Sequence, residues 1–309
     1  MIARQLNSPP ITGLVAATHT PFHPDGSLNL DRIEDQARHL EDRGVKAVFI
    51  GGTTGESLSL TLEERRQLTR RWAEVMTGST LKLVVHVGHN CLPEAQTLAR
   101  DAEAAQAHAI AALAPNFFKP ASVPDLAGFC QAIASQAPST PFYYYDIPAM
   151  TGVRLPMTEF LELGRAAIPT LAGIKFTNPD LAMLQECLAF DEGAMYILYG
   201  NDETLTAGLG MGVAGAIGST YNFAAPISHR VMQAFQRGDL ATAQTEQRKT
   251  VKLVRLCSRF GYMAAAKSIM KFLGIDCGPV RSPLRALSDA ETAQLREQLE
   301  EAGFFEWIL

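Results

Sequence analysis

The sequence has no paired cysteine spacing. Its five cysteines, at 91, 130, 187, 257 and 277, are odd in number and scattered, and no two of them form a C-x-x-C pair. That pattern fits neither a disulfide framework nor a zinc site and reads as reduced thiols in a cytoplasmic protein. Long apolar runs are missing as well. No stretch approaches the ~18–20 apolar residues of a membrane-spanning helix. The first ten residues, "MIARQLNSPP", hold no segment of signal-peptide character. Blocks of basic residues are absent and the formal net charge is −5. Neither nucleic acid nor a membrane is therefore an expected partner.

What the chain does have is a regular alternation. Short apolar or β-branched runs stand at 13–20, 47–50, 82–88, 109–115, 141–147, 171–176, 196–200 and 215–220, separated by amphipathic stretches of helical length. Eight such units predict a closed (β/α)8 TIM barrel, in preference to an open doubly wound sheet. The 309 residues allow a barrel of ~250 plus an appendage. After Ser219 the strand pattern stops. "ISHRVMQAFQRGD" reads as the eighth barrel helix, and three further helical stretches follow it. The expected division is residues 1–237 for the barrel and 238–309 for a C-terminal helical appendage.

A closed barrel gathers its chemistry at the C-terminal ends of its strands, so those ends are where candidate residues are sought. Strand 6, "LAGIKF", ends on Lys175 and Phe176. An amine held in apolar surroundings loses proton affinity, and a neutral amine can add to a ketone and form a Schiff base. The plainer alternative is a lysine whose stem packs while its head reaches solvent or a carboxylate. Strand 5, "PFYYYDI", places Tyr143 and Tyr145 on one face and Tyr144 on the other. Tyr145 lies nearest the strand end, where a phenol can shuttle a proton; Tyr143 and Tyr144 read as core aromatics.

Strand 2 runs into "GGTTGESLSL". The helix beyond carries its own capping box, Thr61 with Glu64, so Thr53 and Thr54 are not needed as caps. They can instead cradle a carboxylate with hydroxyl and backbone donors, or simply belong to a glycine-rich turn. Strand 7 ends in "YGNDETL" and strand 8 in "GSTYN". Asp202 and Glu203 can accept hydrogen bonds from a polyol, and Asp202 can equally cap the following helix. Ser219 is open to both readings.

Two apparent motifs carry no chemistry. "GMGVAG" at 210–215 has dinucleotide-fingerprint spacing, but it follows a helix and enters a strand, the reverse of what that site needs. His86 and His89, three apart at a strand end, do not converge on a metal and read as core or loop residues.

Taken together, "GGTTGES", "YYYDIPAMTG", "GIKFT" and "GNDE…GAIGSTYN" resemble the N-acetylneuraminate lyase branch of the pyruvate-dependent class I aldolases, a family that includes dihydrodipicolinate synthase. The likeness runs from about Gly13 to Asn222, and the helical tail is of the family type. The resemblance implies Lys175 as the Schiff-base lysine and Tyr145 as the proton-shuttling phenol. It implies Thr53 and Thr54 on the carboxylate of a 2-keto acid. Thr177, Gly200, Asp202, Glu203 and Ser219 would then bind the hydroxylated tail of a sialic acid. It further implies a homotetramer with each site completed near a subunit contact, and a reaction with no metal or cofactor.

Within the family the synthase branch carries an arginine in the loop after strand 5, where this chain has Met150. Without that guanidinium a bidentate carboxylate clamp is missing, and the Asp202–Glu203 pair would repel a second carboxylate. Both points favour the lyase reading over dihydrodipicolinate synthase. Another aldolase or dehydratase, acting on a 2-keto-3-deoxy sugar acid with the same lysine and a different tail pocket, is the nearest alternative; Lys175, Tyr145 and the threonine pair argue against a silent pyruvate sensor. Asp146 stands where many relatives have asparagine. Phe117 and Phe118 stand where several offer a tyrosine to the neighbouring subunit.

Overall fold

The computed structural model describes residues 11–309. The N-terminal reading above falls on residues 1–10, outside the described residues. Eight parallel strands close in sequence order into one barrel: β1 (Gly13–Ala17), β2 (Ala47–Ile50), β3 (Lys82–His86), β4 (Ala109–Leu113), β5 (Phe142–Asp146), β6 (Leu171–Phe176), β7 (Tyr196–Tyr199) and β8 (Gly215–Gly218). The predicted (β/α)8 architecture is the observed one. Several strands stop two or three residues before their apolar runs do. Thr18 and Val87, for example, still donate backbone hydrogen bonds to Phe49 and Ala111, but the chain is already turning into loop there.

Helices begin where a side chain can accept an orphan N–H. Thr61, Ser122, Asp180, Asp239 and Ser288 each accept from the backbone three residues on. The capping box of Thr61 and Glu64 is formed as predicted. The eighth barrel helix ends at Gln236, and Leu240–Arg259, Tyr262–Phe272 and Asp289–Ala302 follow. No strand follows Gly218. Among the described residues no helix is long and apolar enough to cross a membrane.

Alternation along the strands divides the core in two. Leu14, Val48, Tyr144, Ile174 and Phe176 face the helices; Val15, Phe49, Tyr143, Tyr145 and Leu198 fill the barrel. A third cluster, built on Leu256, Ile269, Leu295 and Phe304, seats the appended helices against Phe223 and Ile227.

One irregularity decides where the lysine points. β5 and β6 pair Phe142 with Leu171 and then Tyr143 with Gly173, so β6 holds one extra residue, Ala172. Leu171 faces outward. Uninterrupted alternation from it would send Lys175 outward too. The bulge reverses the sense, and Lys175 comes to lie level with the inward Tyr145 and Leu198. Gly173 permits this, because a Cβ there would collide with the backbone carbonyl of Tyr196 on β7.

Candidate active site

Lys175 is buried within the barrel mouth. Its Nζ sits 3.7 Å from the centre of the Tyr145 ring and 4.2 Å from that of Phe49. Burial lowers its pKa from 10.5 to about 7, against the opposing pull of Asp202. The two ring faces favour the ammonium only modestly. A large share of the amine is therefore uncharged at neutral pH and able to add to a carbonyl.

Tyr145 is braced by edge-on contacts with Phe49 and His86. Its hydroxyl pairs with Thr53 Oγ1 at 3.2 Å. Burial pushes the phenol up to about 12, opposed by the hydroxyls of Thr53 and Thr177, so it holds its proton at neutral pH. The Thr177 hydroxyl is itself buried without a partner of normal hydrogen-bond geometry. Gly200 lies against it, since a Cβ at 200 would overlap Thr177 Oγ1. Thr54 is buried beside Thr53 in the same loop.

Across the mouth, the Asp202 carboxylate accepts from the Thr220 N–H at 2.8 Å and the Thr220 hydroxyl at 2.7 Å. The reading of Asp202 as a helix cap is therefore not realised. Its chain turn is instead held by Gln247, which donates to the Asp202 carbonyl at 2.9 Å. Burial raises the Asp202 carboxyl to about 6, against the Thr220 bonds. Glu203 is exposed at the rim. Ser219 Oγ meets the hydroxyl of Tyr262 at 2.6 Å. The structure thus gathers Lys175, Tyr145, Thr53, Thr54, Thr177, Gly200, Asp202 and Ser219 at one end of the barrel, with Glu203 at its edge.

Three supporting residues were not singled out in the sequence. Tyr262 belongs to an appended helix that gives no sign of returning to the barrel. Phe49 reads as one more core residue. Gly173 does carry a signal, a glycine inside a strand. His86 is buried and neutral, with Nδ1 on the Gly51 carbonyl at 2.9 Å, while Arg65 donates to the His86 carbonyl at 2.6 Å. His89 instead pairs with Glu94 at 3.0 Å. The two histidines have separate surroundings, and among the described residues no three His, Cys, Asp or Glu converge as a metal site. "GMGVAG" closes the helix Leu205–Met211 and enters β8, as expected of a sequence without nucleotide function.

Asp146 has a measurable consequence. It is buried, receives Asn178 Nδ2 at 2.9 Å, and is raised by burial from 3.8 to about 6. A raised carboxyl pKa means that the unfolded chain releases its proton first, so stability falls as pH rises between those two values. Asp146→Asn keeps an acceptor for Asn178 and removes the charge. It is expected to be the more stable protein by ~1–3 kcal/mol above pH ~6, the difference closing below pH ~4. Melting temperatures across that range test this; a pH-independent difference would contradict it.

A buried amine with its pKa lowered to about 7 at a barrel strand end, with a phenol over it and hydroxyls around it, is equipped to act as a nucleophile toward a carbonyl group. The chain belongs to the dihydrodipicolinate synthetase family, whose model matches residues 10–302. The N-acetylneuraminate lyase of Gallus gallus is 42% identical over 294 residues, covering 94% of this chain and 96% of that one. Among solved structures, Proteus mirabilis N-acetylneuraminate lyase matches with a TM-score of 0.93 at 38% identity, over 96% of this chain and 100% of that chain. The native structure of the same enzyme from Aliivibrio salmonicida matches at 0.92 and 38%, over 95% and 97%.

Proposed function

We propose that the protein is an N-acetylneuraminate lyase, a Schiff-base aldolase that cleaves N-acetylneuraminate to N-acetylmannosamine and pyruvate. The observation that carries the reading is the inward Lys175 amine, lowered to about 7 and lying 3.7 Å from the Tyr145 ring. Extensive likeness to lyases of that name supports the substrate.

The neutral amine adds to the C2 ketone of the open-chain sugar, and loss of water leaves an iminium. The Thr53–Thr54 loop holds the carboxylate. A phenol near 12 is a poor base, but the iminium cation forms against its ring and lowers that value. Tyr145 then relays the C4 hydroxyl proton: its oxygen accepts that proton as its own passes to the substrate carboxylate. The C3–C4 bond breaks, its electron pair passes to the iminium, and N-acetylmannosamine leaves. The enamine is protonated at C3 and hydrolysed to pyruvate, which restores the amine. The lysine supplies the electrophile, so the scheme requires no metal or cofactor. Asp202, Glu203, Ser219, Thr177 and Gly200 line the side where the polyol tail would lie.

The Met150 side chain is 58% exposed on the short helix Pro148–Thr151. This position offers no guanidinium to a second carboxylate, which favours a neutral sugar over the synthase partner. Phe117 and Phe118, 76% and 85% exposed, stack edge to face at 4.8 Å. They would be covered in the homotetramer that we also propose. The five free cysteines fit a cytoplasmic location.

Pyruvate release should be compared for N-acetylneuraminate and a panel of 2-keto-3-deoxy sugar acids. We expect kcat/KM for the sialic acid to exceed the others by about tenfold or more, the equivalent of one or two hydrogen bonds to the tail. Preference for a sugar acid without the N-acetyl group would overturn the substrate assignment.

A further inference from the structure

The loop that would hold the substrate carboxylate is tied from outside the barrel. Glu56, its one acidic residue, has φ +55°, in the left-handed region that side-chain-bearing residues avoid. Its carboxylate is buried, with Lys267 Nζ at 2.8 Å from Oε1 and the Arg281 N–H donating to Oε2 at 2.8 Å. Lys267 comes from the appended helix Tyr262–Phe272. It also donates to the Pro279 carbonyl at 2.8 Å and stands 4.2 Å from the centre of the Phe22 ring. Neighbouring His19 is fully buried and stays neutral, so it brings no charge to compete for the carboxylate. Arg281 is anchored in turn by Glu64 and by the Gly26 and Ser59 carbonyls.

From Glu56 the path to the chemistry is short. The Glu56 N–H donates to the Thr53 carbonyl at 3.0 Å, and the Ser57 N–H to the Gly52 carbonyl at 3.2 Å. These bonds fold Gly52–Ser57 into a tight turn. Thr53 Oγ1 then reaches the Tyr145 hydroxyl. Thr20 Oγ1 holds the Gly55 carbonyl inside this turn and His86 Nδ1 the Gly51 carbonyl before it, while His19 lies against the Thr54 backbone. A buried ion pair adds little net stability compared with an apolar pair of similar volume. This one meets Glu56 where its backbone is left-handed.

We propose that Lys267 and Glu56 are positioning residues for recognition of the 2-keto acid carboxylate: their buried ion pair fixes the Gly52–Ser57 turn so that Thr53 and Thr54 face the substrate. The appended helices are then part of the substrate site. Their helix Tyr262–Phe272 meets the carboxylate loop through Lys267 and the far side of the mouth through Tyr262.

This inference rests on the aldolase reading, and borohydride trapping separates the two. Wild-type protein should gain mass on Lys175 with pyruvate, and failure there would sink the aldolase reading itself. In Lys267→Met the pyruvate concentration for half-labelling should rise about tenfold or more, the loss of roughly one charged hydrogen bond to the carboxylate. Labelling with acetone, which has no carboxylate, should stay within about twofold, a split that general loosening of the fold would not give. The paired variant Glu56→Gln with Lys267→Met removes both charges instead of stranding one. It guards against misfolding and should show the same pyruvate-selective loss. Equal losses for pyruvate and acetone, no loss for either, or failure of both variants to fold would each overturn the proposal.

Discussion

Lys175→Met is expected to abolish borohydride trapping with pyruvate and to lower sugar cleavage by about 10⁴-fold or more, since the covalent route is removed and not merely slowed. Methionine keeps the length and apolar stem of the side chain, so the variant should fold. It should in fact be the more stable protein. The buried amine has a pKa of about 7 against 10.5 in the unfolded chain. Between those values the unfolded state binds more protons, so wild-type stability declines as pH falls through that window. The accumulated cost is roughly 3–5 kcal/mol at neutral pH and stays constant below it. The stability gap between variant and parent should therefore grow from pH ~10 down to pH ~7 and then level off. Denaturant titrations at several pH values measure it. A variant that is less stable at pH 7, or that still cleaves the sugar, would refute the assignment. Wild-type activity should rise as pH passes through about 7 and the amine loses its proton.

Tyr145→Phe separates imine formation from carbon–carbon cleavage. The ring beneath Lys175 and its contacts with Phe49 and His86 remain. Only the hydroxyl goes, leaving Thr53 without that partner. Pyruvate trapping should persist at near wild-type extent, while kcat for cleavage falls by ~10²–10⁴, the usual worth of a positioned acid–base group. Rapid-quench analysis should find substrate imine accumulating. Cleavage at the parental rate would mean that the C4 proton leaves by another route, and loss of trapping would mean that the phenol acts before the bond-breaking step.

Eight strands, their order and the inward pair Tyr143 and Tyr145 could be read from the sequence, because pleat alternation and helix periodicity are local properties. Lys175 and the threonine pair could be placed by the strand-end rule. Other features depended on residues far apart in the chain. Asp202 looked as much like a cap as a ligand because Thr220, which takes its carboxylate, lies 18 residues on. Tyr262 stands 43 residues beyond Ser219, and Lys267 belongs to a helix with an ordinary amphipathic pattern. No local propensity records such meetings. Strand ends were overestimated because apolar character continues where ladder bonding has ceased, as at Thr18 and Val87.

The bulge in β6 sets a limit on how this scaffold can vary. Loops around the rim can lengthen or shorten without disturbing the handedness of any side chain. Pairing Ala172 into a regular ladder, or inserting one more residue between Gly173 and Lys175, would shift the phase of the strand by half a pleat and turn the amine into the layer between strands and helices, where no sugar could reach it. Within this one strand, residue count matters to the chemistry as much as residue identity does.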